Sequence, residues 1–165
     1  MKKILLTLPL LLPLLLSQTA FAAAPDKSLC RADEKPLFQC RVKNKQLSLC
    51  AGSAGVQYRF GTPQNVELSY PATPQPAAGK FFYSETGYSG GGEERIRFRN
   101  GDYDYFLFER TVRTGFGNGP NNPEFSAGVI TRRAGKVVST RLCDRDDALI
   151  SHEGLAEEEF TYLDD

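Results

Sequence analysis

Glu94-Arg95-Ile96-Arg97-Phe98-Arg99-Asn100-Gly101-Asp102-Tyr103-Asp104-Tyr105-Phe106-Leu107-Phe108-Glu109-Arg110 reads as two β-strands folded back on one another. Arginines alternate with apolar residues before the turn, the period of a half-buried strand. Asn100-Gly101 is a strong short hairpin signal, because a type I′ turn needs positive φ at both central residues. Pairing about that dipeptide sets Arg99 opposite Asp102, Arg97 opposite Asp104, Phe98 opposite Tyr103 and Ile96 opposite Tyr105. One face then carries Ile96, Phe98, Tyr103, Tyr105 and Leu107, and the other matches arginines with aspartates. A one-residue slip would turn the whole apolar set to the other face.

The same pattern extends in both directions. Alternating apolar positions, rich in β-branched and aromatic residues and bounded by turn residues, predict strands at Leu37–Val42, Gln46–Ala51, Val56–Phe60, Val66–Tyr70, Lys80–Ser84, Glu94–Arg99, Tyr103–Arg110, Phe125–Arg132 and Val137–Cys143. A two-residue turn at Asn44-Lys45 pairs Val42 with Leu47 and Cys40 with Leu49. A loop at Gly61–Asn65 pairs Phe60 with Val66, Tyr58 with Leu68 and Val56 with Tyr70, leaving Gln57, Arg59, Glu67 and Ser69 towards water. A turn at Ala134-Gly135 puts Val129, Thr131, Val138, Thr140 and Leu142 on one face. Composition makes loops of Pro71–Gly79, Gly87–Gly92 and Thr114–Pro123. The expected fold is all-β: one antiparallel β-barrel or sandwich of about 8–9 strands, disulfide-stapled, ending in a short acidic tail. Its expected core is Phe38, Val42, Leu49, Tyr58, Phe60, Val66, Leu68, Ile96, Phe98, Tyr105, Leu107, Val129 and Leu142.

The ends of the chain bear on its compartment and its charge. Lys2 and Lys3 precede an apolar run from Ile4 to Leu16, followed by Ala20-Phe21-Ala22. That order is a secretory signal peptide over residues 1–22, cleaved after Ala22. The run is too short for a membrane span and holds Pro9 and Pro13, so no membrane anchor is expected. Cys30 lies beyond the apolar run and follows Leu29, which argues against lipidation. Residues 23–143 form the domain and 144–165 the acidic tail, with room for a short helix near 151–160. Residues 25–143 carry 17 Lys and Arg against 11 Asp and Glu, a net of +6. Residues 144–165 carry one Arg against nine acids, a net of −8. A basic body therefore precedes an acidic tail.

Four cysteines, Cys30, Cys40, Cys50 and Cys143, follow the leader and meet an oxidising compartment, periplasmic or extracellular. They allow two disulfides in three connectivities. Cys40–Cys50 is the obvious pair across the first hairpin. The faces argue mildly against it, since Cys40 points inward there and Cys50 points outward with Ser48. No CxxC spacing supports zinc.

Catalytic chemistry is sparse. The single histidine, His152, lies in the acidic tail, so a Ser-His-Asp arrangement has little to build on. Asp102 and Asp104 alternate along a strand opposite arginines and lack the further ligands of a calcium loop. Glu93, Glu94, Glu109 and Glu124 offer carboxylates for glycoside chemistry, with no spacing that selects two of them. Gly87–Gly92 lacks the Lys-Ser/Thr of a phosphate loop. The reading is no enzyme, no cofactor, no metal and no nucleic-acid partner.

A small exported protein of about eight antiparallel strands, with disulfides and a Ser-Gly loop at Ser89-Gly90, resembles the bacterial periplasmic lysozyme inhibitors of the MliC/PliC and PliI groups. The resemblance implies a loop that enters the lysozyme cleft, where its hydroxyl groups meet the catalytic carboxylates. Carried onto this chain, the binding residues are Tyr88, Ser89, Gly90 and Glu93. Gly91, Gly92 and Glu93 stand where those families place an aromatic after Ser-Gly. The alternative is a structural or assembly domain that binds another envelope component, through its basic body or with the acidic tail folded over that body.

Overall fold

The computed structural model describes residues 28–115, 117, 119, 122–144 and 148–163; the leader over 1–22 lies outside them. Among the described residues, eleven strands form two sheets. In the first sheet, β1 (Lys35–Val42), β2 (Lys45–Gly52), β3 (Gly55–Thr62) and β4 (Asn65–Gln75) follow one another, and β10 (Leu149–Ile150) joins the free side of β1. In the second, β5 (Phe81–Tyr88), β6 (Gly91–Asn100), β7 (Tyr103–Val112), β8 (Glu124–Arg133) and β9 (Lys136–Leu142) follow one another, and β11 (Ala156–Glu157) lies parallel to β5. Every other pairing is antiparallel. The sheets do not close into a barrel; their inner faces pack as a sandwich.

Each of the nine strands read from the sequence is present, and the core follows the alternation. Phe38, Leu47, Leu49, Tyr58 and Phe60 meet Phe81, Tyr83, Ile96, Phe98, Leu107 and Val129. Burial of each large side chain contributes about 1.5–3 kcal/mol. Phe98 is the hub: its ring stacks on Tyr105 at 4.8 Å and Tyr70 at 5.0 Å, and lies 4.8 Å from Tyr58. Leu68 and Tyr105 are half-buried against this cluster.

The registers differ from the sequence reading in an instructive way. The β6–β7 turn is Gly101-Asp102, not Asn100-Gly101: Asn100 pairs with Tyr103, Arg99 with Asp104 and Phe98 with Tyr105. Gly101 supplies the positive φ of 59°. A shift of two residues keeps every side chain on its face, so burial does not separate the two registers. The observed one lets Arg99 grip Asp104 through Nε at 2.8 Å and a terminal nitrogen at 2.9 Å, and it releases Arg97 for another partner. The first hairpin moves likewise. It turns at Lys43-Asn44, with Lys43 at φ 58°, so Cys40 opposes Leu47 and Phe38 opposes Leu49.

Two expected core residues are surface residues. A bulge separates the Phe60–Leu68 and Gly61–Val66 pairs, which rotates Val66 outward to 42% exposure. A second bulge between Thr131 and Arg132 leaves Val129 opposite Arg141 and Gly128 opposite Leu142. Leu142 is 56% exposed, and Val138 is also at the surface. The turn at Ala134-Gly135 is as read, with both residues at positive φ.

Gln57 and Arg59 do not face water. Residues 28–34 cover them, held down by the Cys30–Cys50 disulfide. Arg59 donates to both Glu34 carboxylate oxygens, at 2.5 and 2.7 Å, and to the Leu29 carbonyl at 2.9 Å. The Arg59 hydrogen bonds hold the Glu34 carboxyl below the usual carboxylate range. Gln57 accepts from Arg59 and donates to the Pro71 and Ala72 carbonyls, at 2.8 and 3.0 Å. Those bonds anchor the Pro-rich segment, which runs on as β4 to Gln75 instead of forming a loop from Pro71.

The second disulfide, Cys40–Cys143, ties β1 to the end of β9 and so links the two sheets. Two such bridges fit an oxidising compartment. No helix forms near 151–160. Instead β10 extends the first sheet and β11 extends the second, so the described part of the acidic tail lies against the domain as part of both sheets.

Candidate functional site

Gly87–Gly92 is strand, turn and strand, not a loop. Thr86 pairs with Glu93, Gly87 with Gly92 and Tyr88 with Gly91, so only Ser89-Gly90 is left at the tip. Both tip residues are exposed. Gly90 sits at φ 88°, and a Cβ there would lie 2.6 Å from Cδ of Arg113, which crosses it. Gly91 abuts the Thr111 carbonyl so closely that a Cβ has no room. Glycine is required at both positions for the hairpin to lie flat on β7.

Glu93 anchors the tip from below. Its side chain shares a face with Arg95 on β6 and lies directly opposite Arg110 on β7. Arg95 Nε donates to Oε1 at 2.5 Å, Arg110 Nε to Oε2 at 2.7 Å and the Tyr88 hydroxyl to Oε2 at 2.5 Å. Burial would raise the Glu93 carboxyl, but the bonds from Arg110, Arg95 and Tyr88 outweigh it and hold the group below its ordinary value. Burial and the bond to Glu93 push the Tyr88 hydroxyl up to about 12, so it stays a donor at neutral pH. Glu93 is 3% exposed. Its carboxylate is therefore turned away from solvent, and Tyr88 spends its hydroxyl on it. Ser89 is the side chain left outward. An open groove of about 500 Å³ runs beside the tip, bounded by Arg110, Val112, Arg113 and Leu163.

The opposite face of this end is acidic. Glu85 pairs with Glu94, and Glu94 with Glu109, a row of three carboxylates across adjacent strands. They line a second groove of about 490 Å³ with Thr86 and Thr111. The Tyr83 hydroxyl donates to Glu85 at 2.9 Å. Burial, then the Glu94 charge, raises the Glu109 carboxyl, against a hydrogen bond from the Ile150 backbone. Like charges directly opposite on a sheet are destabilising. A raised carboxyl binds protons more tightly in the folded protein, so its contribution to stability falls as pH rises through the usual carboxylate range. Glu109→Gln is thus expected to stabilise the protein at pH 7 by about 0.2–1 kcal/mol. The advantage should vanish below pH 4, as urea midpoints at the two pH values will show.

Of the carboxylates considered for glycoside chemistry, the fold brings Glu94 and Glu109 together and turns Glu93 to the opposite face. His152 stacks on Tyr83, with ring centroids 4.3 Å apart. Cys30, Glu34 and Cys50 place possible ligand atoms within 4.8 Å of one another, but both sulfurs are in the disulfide and Glu34 is held by Arg59. Sequence reasoning missed Arg95 and Arg110 as the anchors of the tip. Their signal was present: once the turn is placed at Gly101-Asp102, Glu93 and Arg110 become direct partners.

Comparison with protein-family models, with curated proteins and with solved structures finds no match to this chain.

Proposed function

We propose that this protein is an exported, non-enzymatic binding module that acts on a protein partner through the Ser89-Gly90 tip, in the manner of the periplasmic lysozyme inhibitors. The observation that carries the reading is a two-residue exposed tip on a hairpin whose base is locked by Glu93, Arg95, Arg110 and Tyr88. A tip fixed before binding loses little ordering entropy when it enters a cleft. Ser89 offers a hydroxyl donor of the kind that meets carboxylates. The row of Glu85, Glu94 and Glu109 behind the tip suits a basic partner and would steer its approach. The apolar leader read from the sequence and the two disulfides support an encounter in an oxidising compartment, the periplasm in this reading.

The test is a cell-wall lysis assay with animal-type, goose-type and invertebrate-type lysozymes. Micromolar protein is expected to inhibit at least one type. Ser89→Ala should raise the inhibition constant about tenfold or more, the worth of a hydrogen bond to a charged group. Added salt should weaken inhibition through loss of acidic steering. Failure to inhibit all three types at micromolar protein would rule the reading out.

A further inference from the structure

The outer face of the second sheet carries a line of arginines, Arg95, Arg97 and Arg99 on β6, with Arg132 of β8 alongside. Alternate residues on one strand lie about 6.6 Å apart, so this is a ladder of cations at regular spacing. The chain's own C-terminal segment lies across it. β11 pairs in parallel with Phe82 and Tyr83, and the Glu158 amide donates to the Tyr83 carbonyl at 2.8 Å. Glu158 then receives Arg97 in a two-pronged ion pair, Nε to Oε1 at 2.8 Å and a terminal nitrogen to Oε2 at 2.5 Å. The Phe160 ring lies 4.2 Å from the Arg95 guanidinium, and the Thr161 carbonyl accepts from Arg95 at 2.7 Å. Leu163 closes the segment on Phe106, Phe108 and Ile130.

The recognising groups also touch the body of the protein, besides the segment they hold. Glu93 fixes Arg95 through Nε, which leaves another nitrogen of the guanidinium for Thr161. Phe82 carries the Arg97 guanidinium 4.7 Å above its ring. The contacts of Arg95 with Glu93 and of Arg97 with Phe82 therefore do not involve the segment.

We infer that this face is a receptor site for an extended acidic peptide, and that residues 156–163 are its intramolecular ligand. The occupant shows the chemistry the site takes: a backbone that adds to the β5 edge, a carboxylate on Arg97, an aromatic ring on Arg95 two residues later, and an apolar side chain five residues after the carboxylate. Addition of a strand to a sheet edge, with side-chain pockets for selectivity, is a general mode of peptide recognition. A tethered segment competes at an effective concentration on the order of millimolar, so the closed protein rejects all but strong competitors. Release of the segment exposes the site in proportion to the open fraction.

The experiment uses the full chain and a fluorescent synthetic peptide of residues 154–165 as probe, read by anisotropy at low salt. The parent should bind the probe weakly. Glu158→Gln with Leu163→Asp should bind at least tenfold more tightly, and a glutamate-specific protease should cut it faster after Glu157 and Glu159, which both proteins keep. Arg97→Gln in that background should weaken the probe at least tenfold. Protection from the protease in the released variant, unchanged probe affinity despite faster cutting, or indifference to Arg97→Gln would each overturn the inference. Tighter binding of inorganic polyphosphate than of the peptide would assign the face to polyanions and overturn it equally.

Discussion

Replacing Cys40 and Cys143 together with alanine is expected to destabilise the protein by about 4–5 kcal/mol, against about 3 kcal/mol for the same change at Cys30 and Cys50. The chemistry at the two sites is the same, so the difference isolates what each bridge closes. Cys40–Cys143 spans 103 residues and Cys30–Cys50 spans 20. In the chain-entropy account a longer loop removes more freedom from the unfolded chain. The long bridge also joins the two sheets at a seam where Asp144 donates to the Arg41 carbonyl and Cys143 to the Ala127 carbonyl, both at 2.8 Å. The short bridge pins residues 28–34 over Gln57 and Arg59. For a domain of this size the larger loss lowers the melting temperature by about 15 °C. Urea unfolding of the two paired variants decides the ranking. An equal loss, or a larger loss at Cys30 and Cys50, would show that the covered Arg59–Glu34 pair outweighs the closure of the long loop. Thiol counting on the denatured, unreduced protein should find none free.

The faces of most strands were legible, while the turns of the first hairpin and of β6–β7 were each read two residues out of register. Ile96, Phe98 and Leu107 point inward in any register that differs by an even number of residues, because side chains alternate with period two. Alternation therefore predicted the core while leaving Arg99 with two possible aspartates. What chose Asp104 is a tertiary consequence, the stacking of Phe98 on Tyr105 and the release of Arg97 to Glu158. Bulges break the parity itself, and nothing local in Val66 or Leu142 announces them. Arg59 was read as facing water and is buried. A charged residue on an outer face reads as solvated until a distant segment, here residues 28–34, is known to cover it. The complementary charges of body and tail were visible as a sum. Only the pairing of β11 with β5 shows that the tail lies on Arg95 and Arg97. The Ser89-Gly90 dipeptide was legible in the sequence, and its anchoring was not, because the four anchors lie on three strands, Tyr88 on β5, Glu93 and Arg95 on β6 and Arg110 on β7.

Glu93→Gln is expected to cost about 3–5 kcal/mol, the loss typical of breaking a buried ion pair by neutralising one partner. Arg95 and Glu93 have side chains only 4% and 2% exposed, and Arg110 completes the triad from the more open side. With an amide in place of the carboxylate, one buried guanidinium keeps its positive charge without a counter-charge, and the amide nitrogen faces donors. The same group sets part of the acid sensitivity. Its carboxyl lies below the ordinary range in the folded protein, so its stabilisation is complete above the unfolded value near pH 4.3 and is lost as pH falls through the folded value. Wild-type stability should fall more steeply than that of Glu93→Gln between pH 5 and pH 2, and the gap between them should narrow. Tyr88→Phe removes one bond to Glu93 and leaves both arginines paired, so its cost should stay near 1–2 kcal/mol. If Glu93→Gln instead unfolds at the wild-type urea midpoint at pH 7, the triad contributes no net stability, and the rigidity of the Ser89-Gly90 tip must come from the close fit of Gly90 and Gly91 on β7 alone.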